Sequence, residues 1–173
     1  MKTLIDQLAQ YGACHRDPRN IASHFVGVPM IMLAVTTMLS RPSLMVGNLP
    51  LSLALLASLA AAVFYFRLDF RLGIAMALQM ALNLAVGQWF AMQGTAVWLT
   101  AGVGLFVVGW VIQFIGHYYE GKKPAFVDDM VGLLIGPLFV IAEAGFALKL
   151  RLEVQAAIEA RVGPVRLPET LQG

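Results

Sequence analysis

LGIAMALQMALNLAVGQWFAMQGTAVWLTAGVGLFVVGWVIQFIGHYY, running from Leu72 to Tyr119, contains no Asp, Glu, Lys or Arg over 48 residues. A helix needs about 20 apolar residues to cross a bilayer, so this run is too long for one crossing. The turn-like stretch Met92–Thr95 divides it into roughly 72–91 and 96–116. Charges set off three further blocks: Phe25–Ser40, Pro42–Phe66 and Val131–Leu148. In the second of these the helix is expected to begin near Pro50. The last is apolar apart from Glu143 and carries Gly136-Pro137 in its middle. Backbone amides in lipid must be bonded within their own segment, and barrel-type alternation is absent, so these blocks read as helices.

The whole composition agrees. Of 173 residues, 59% are hydrophobic and 13% charged, against about 45–50% and 25% in a soluble domain. The expected fold is all-α: a polytopic helical membrane protein with four spans and a fifth apolar segment, re-entrant or crossing. Leu4, Ile5, Leu8 and Tyr11 form a short amphipathic stripe suited to an N-terminal interfacial helix. Residues 1–149 are expected to form a single integral membrane domain, catalytic if the site described below is one, and 150–173 a polar, solvated or surface-lying C-terminal tail. The net charge of +2 and the lack of a basic block interleaved with aromatics argue against nucleic acid as partner. Cys14 is alone, which excludes an internal disulfide and a CxxC metal pattern. The first 24 residues lack the contiguous apolar core of a cleavable signal peptide.

Basic residues give an orientation. If the first four blocks all cross, Lys2, Arg16, Arg19, Arg67, Arg71, Lys122 and Lys123 share one face and only Arg41 lies on the other. That face is expected to be cytoplasmic. If the fifth block turns back at Gly136-Pro137, Lys149, Arg151, Arg161 and Arg166 join the same face, and this is the favoured reading. If it crosses, they fall outside.

The chain has three histidines: His15, His24 and His117. Under this topology all three sit at the cytoplasmic boundary. Asp17-Pro18 resembles a helix start, with Asp as cap and Pro at the first helical position. Asn20 and His24 then share a helix face, as do Gln113, His117 and Glu120. A single interfacial histidine is most often structural, but three of three on one side suggest a common site. Neutral imidazole is the commonest metal ligand, and three His, or two His and a carboxylate, leave open positions on Zn or Fe(II). Glu120 then has three candidate roles: ligand, acceptor for a histidine N–H, or salt-bridge mate of Lys122 or Lys123. Gln79 and Asn83 are expected to hydrogen-bond between helices. Glu143 reaches the site if the last block re-enters, and Asp128 and Asp129 read as helix-start acids.

Three motifs in order, HRDPRNIASHFVGVP (His15–Pro29), QFIGHYYEGKKPAF (Gln113–Phe126) and GPLFVIAE (Gly136–Glu143), resemble the Mpo-type 2-hydroxy fatty acid dioxygenases. This is a membrane family first characterised in yeast sphingolipid breakdown. The likeness runs from His15 to Glu143, and the tail after Lys149 matches poorly. It implies an Fe(II)-dependent oxygenase that shortens a long-chain 2-hydroxy fatty acid by one carbon, using O2 and releasing CO2. It places the essential metal-binding histidines on His15, His24 and His117. Asn20, Glu120 and Glu143 are carried over as motif residues of unknown role and counted as catalytic candidates. Apart from the resemblance, Arg19, Lys122 or Lys123 is expected to meet the substrate carboxylate as it approaches.

The electron balance suits such a chain. Converting R-CH(OH)-COOH to R-COOH and CO2 releases four electrons, the number O2 accepts on reduction to the level of water. No nicotinamide, flavin or 2-oxoglutarate is required. The expected partners are therefore the lipid substrate, O2 and membrane lipids, with an oligomer left open. The host membrane is expected to be a bacterial inner membrane, or endoplasmic reticulum in a eukaryote. Competing readings are a non-catalytic scaffold or small transporter, a zinc-dependent membrane hydrolase (no HExxH is present) and a b-type haem protein. A diiron desaturase needs more histidines than this chain has.

Overall fold

The computed structural model describes residues 2–47, 49–123 and 130–166. These contain seven helices and one two-stranded hairpin. The helices are α1 (Leu4–Gly12), α2 (Pro18–Leu39), α3 (Leu53–Leu68), α4 (Phe70–Ala91), α5 (Thr95–Glu120), α6 (Gly132–Ala147) and α7 (Leu152–Val162). The strands are β1 (Ser43–Val46) and β2 (Leu49–Ser52). The protein is a helical membrane protein. α2, α4 and α5 are each long and apolar enough to cross a bilayer. Apolar side chains such as Leu78, Leu82, Val107 and Val111 are exposed along α4 and α5, as lipid-facing positions require.

The chain forms two compact units. In one, comprising Pro29–Trp110, the 25-residue block Pro42–Phe66 divides. Its first part pairs as an antiparallel hairpin, Ser43 opposite Ser52, turning at Gly47 with φ +62°. The helix begins at Leu53, where the Ser52 hydroxyl accepts the Leu55 N–H, rather than near Pro50. With 16 residues, α3 reaches about 24 Å at 1.5 Å per residue, short of the roughly 30 Å core. Asp69 ends α3 and caps α4 by accepting the Leu72 N–H at 2.9 Å. Gln79 and Asn83 differ from expectation: Gln79 Nε2 donates to Asn83 Oδ1 within α4 at 3.3 Å. Arg41 donates to Ala91 O and Thr95 Oγ1 and lies over the Trp98 ring, which closes the α4–α5 turn.

The other unit comprises Met1–Val28 and Val111–Gly173. Thr3 and Asp6 form a capping box at the start of α1. Its stripe (Leu4, Leu8 and Tyr11) is buried, and the helix packs on α6 and α7. The fifth apolar block corrects the sequence reading. α6 continues through Gly136 and Pro137, and the chain turns after Leu148 instead, where Lys149 and Arg151 both have positive φ. α6 and α7 meet at 115°, the geometry of a broken span or re-entrant loop. The segment expected as a polar, solvated or surface-lying tail contains α7, which buries Val154 and Ile158. Asp128 and Asp129 lie outside the described residues.

Candidate metal centre

The unit that holds α1 brings the three histidines together from three segments. His15 stands in the short link between α1 and α2, His24 on the second turn of α2, and His117 one turn before the end of α5. All three are buried, and one potential ligand nitrogen from each lies within 4.8 Å of the others. The rings meet edge to face, with centroids 4.3, 4.9 and 5.1 Å apart. Tyr11 stacks flat on His15 at 4.1 Å and Phe139 leans on it from α6, so its ring orientation is fixed.

Hydrogen bonding assigns the tautomers. His15 Nδ1 lies 2.7 Å from Tyr11 O, and His24 Nδ1 lies 2.9 Å from Asn20 O. A carbonyl only accepts, so each Nδ1 carries the proton and each Nε2 bears a lone pair. Those two Nε2 atoms face each other at 2.9 Å. Burial, and next the neighbouring His24, push His15 protonation well below the usual histidine range, so an imidazolium does not relieve the opposition. A cation between them does. Two nitrogens bound about 2.0–2.1 Å from one ion stand about 2.9–3.4 Å apart for angles between square and tetrahedral. His117 adds a buried Nδ1 with no hydrogen-bond partner among the described residues. The donor set therefore fits a metal ion, with Nδ1–H groups anchored to carbonyls as metal-ligating histidines usually are.

Around the histidines, Glu120 has a different part from any of the three considered above. Its side chain is fully buried, and Oε2 accepts the backbone N–H groups of Arg16 (2.9 Å) and Asp17 (2.7 Å) and the Asn20 amide (3.3 Å). It ties the end of α5 to the loop that carries His15. Asp17 caps α2 by accepting the Arg19 N–H at 2.8 Å. Asn20 Nδ2 also donates to Cys14 O, while Asn20 Oδ1 is buried and has no partner among the described residues. Gly116 is needed where α5 approaches α2: a Cβ there would meet Ser23, and Asn20 Oδ1 at 2.6 Å.

The remaining expected residues lie further out. Glu143 is 3.8 Å from Arg16 Nη2, a loose ion pair. Arg19 is 64% exposed, pairs with Asp17 at 2.9 Å and lies over the Tyr119 ring. Lys122 donates to Ala13 O at 2.7 Å, and Lys123 is exposed. Sequence reasoning passed over Arg16, which is buried and donates to Gly12 O, His15 O and Gly163 O. Its place between His15 and Asp17 was the available signal.

Fold and site together define a helical membrane protein with a buried three-histidine centre. The chain belongs to the Mpo1-like family: the family model described as "2-hydroxy-palmitic acid dioxygenase Mpo1-like" matches residues 1–148. It is 31% identical over 160 residues to the 2-hydroxy-palmitic acid dioxygenase MPO1 of Saccharomyces cerevisiae, covering 90% of this chain and 87% of the yeast protein. No solved structure matches the chain.

Proposed function

We propose that this protein is an iron-dependent membrane dioxygenase that converts long-chain 2-hydroxy fatty acids to the acid one carbon shorter and CO2. The observation that carries the reading is the buried His15–His24–His117 cluster, within a chain of a family named for 2-hydroxy-palmitic acid dioxygenation. The reaction balances as R-CH(OH)-COOH + O2 → R-COOH + CO2 + H2O. His15, His24 and His117 hold Fe(II), which supplies the redox chemistry and open positions for oxygen ligands.

The chain's own groups do the rest. Tyr11 O and Asn20 O hold the Nδ1 protons of His15 and His24 and so keep both Nε2 lone pairs available. Asn20 Oδ1, which has no donor among the described residues, accepts a hydrogen bond from the substrate's 2-hydroxyl. Tyr11 and Phe139 keep water from His15. Arg19, Lys122 and Lys123 form a basic rim that draws the carboxylate in, on the face assigned to the cytoplasm by the distribution of basic residues. Residues 1–149 carry the metal ligands and the groups that meet the substrate, and the acyl chain lies along the apolar helices. An amphiphile with a wet head and a dry tail suits a centre at the bilayer edge.

The test is anaerobic reconstitution of the detergent-purified protein with Fe(II), followed by 2-hydroxypalmitic acid and O2, with products identified by mass spectrometry. A C15 acid formed by the wild type and not by His117→Ala is expected. Bound zinc with no C15 acid would replace the oxygenase with hydrolytic chemistry.

A further inference from the structure

The C-terminal segment, beyond the residues that match the family model (1–148), folds back onto the site. α7 packs against α1, and Arg161 pairs with Asp6 at 2.6 Å. Past Gly163, where φ is +82°, the chain runs beside the loop carrying His15. Arg16 Nη1 donates to Gly163 O at 3.0 Å, and the Arg166 N–H donates to Arg16 O at 2.8 Å. The Arg166 side chain then reaches Glu120: Nη2 donates to Oε1 at 3.2 Å.

This last bond bears on a buried charge. Oε2 of Glu120 is shared by three N–H donors, whereas among the described residues Oε1 has Arg166 alone. A carboxylate removed from water needs its oxygens hydrogen-bonded and its charge compensated. The nearby guanidinium of Arg16 is engaged with three carbonyls and lies 3.8 Å from Glu143. We infer that Arg166 is a positioning residue of the metal centre: by holding Glu120 Oε1 it keeps Oε2 on the Arg16 and Asp17 amides and so holds His15 in register with His24 and His117. The tail is thereby part of the functional unit.

This inference rests on the reading of the histidine cluster as a metal site, and the test separates the two. Full-length wild type, Arg166→Ala, Arg166→Lys and Arg161→Ala are purified in detergent. Co(II) affinity is measured by competition with a chromophoric chelator, and backbone hydrogen exchange is followed at Arg16 and Asp17. Arg166→Ala is expected to weaken Co(II) binding about 10- to 100-fold, the range for partners of metal ligands, and to speed exchange at both amides. Arg166→Lys should restore most of both. Arg161→Ala, which cuts the ion pair between α7 and Asp6 of α1 without touching Glu120, should match wild type. Wild-type exchange in Arg166→Ala overturns the inference, as does an equal effect from Arg161→Ala, which would mean that docking of α7 matters and the Glu120 bond does not. Should wild type bind no Co(II), the metal reading fails, and the exchange measurement still decides whether Arg166 governs the Glu120 clamp.

Discussion

Gly116→Ala adds one methyl group where α5 approaches α2, and the structure sets the size of the effect. The new Cβ would lie 2.6 Å from Asn20 Oδ1 and 2.9 Å from Ser23 Cβ, with Ser23 Oγ closer still. The hydroxyl can rotate away only by giving up its 2.7 Å bond to Asn20 O, and Ser23 Cβ cannot rotate at all. Carbon atoms rest about 3.5–4.0 Å apart, so the two helix segments must separate by about 0.6–1.1 Å. Overpacking of this kind costs about 1–3 kcal/mol. The larger consequence concerns the metal, because His24 and His117 stand on the separated segments and ligand distances tolerate only about 0.2 Å. Co(II) affinity should therefore fall at least about tenfold (about 1.4 kcal/mol) in a protein that still folds. The assay pairs chelator competition with unfolding in detergent for Gly116→Ala, Ser23→Gly and the double variant. Ser23→Gly removes two of the clashing atoms, so the double variant should regain part of the loss, with a coupling energy of about 0.5–3 kcal/mol. Full affinity in Gly116→Ala, or strict additivity of the two changes, would refute the reasoning.

Glu120→Ala should destabilise by about 2–6 kcal/mol, since it leaves two buried backbone N–H groups unpaired at about 1–3 kcal/mol each; Glu120→Gln, which keeps an acceptor, should cost roughly 1–2 kcal/mol, and equal losses in denaturant titrations would contradict the clamp. His15 gives a pH dependence. Burial depresses its protonation in the folded state, so the unfolded chain takes up a proton below its ordinary value of about 6.5 that the native state refuses. Metal-free protein should thus hold constant stability from this group above about pH 7 and lose it as pH falls below about 6.5, a slope that His15→Gln should reduce in thermal melts. Arg19→Ala should change stability by less than about 1 kcal/mol, because its ion pair with Asp17 is largely solvated on the arginine side; its expected effect is a raised KM for the 2-hydroxy acid with Co(II) affinity unchanged, and a loss of metal would place it elsewhere.

The membrane architecture was readable because the bilayer imposes a length scale: a 48-residue uncharged run with a turn at Met92–Thr95 leaves two long helices as the solution. The meeting of the three histidines was also legible, from the Asp17-Pro18 helix start and from the placement of His117 at the end of the last long span. Gly136-Pro137 misled because a proline within a helix forfeits one hydrogen bond, which neighbouring groups in a membrane protein can tolerate. The actual turn uses positive φ at Lys149 and Arg151, residues with no sequence signal for it. The tail was obscured by composition: Val154 and Ile158, one helical turn apart, give α7 a narrow apolar stripe amid polar residues. Glu120 could be placed on the histidine face but not assigned its partners, because those are backbone amides about 100 residues away in the chain.

The central claim is that the three histidines hold one iron. Elemental analysis of anaerobically Fe(II)-reconstituted protein, wild type beside His24→Ala, tests it most directly. The account predicts close to one iron per chain in the wild type and its loss in the variant. Equal iron in both, or none in the wild type, would contradict it.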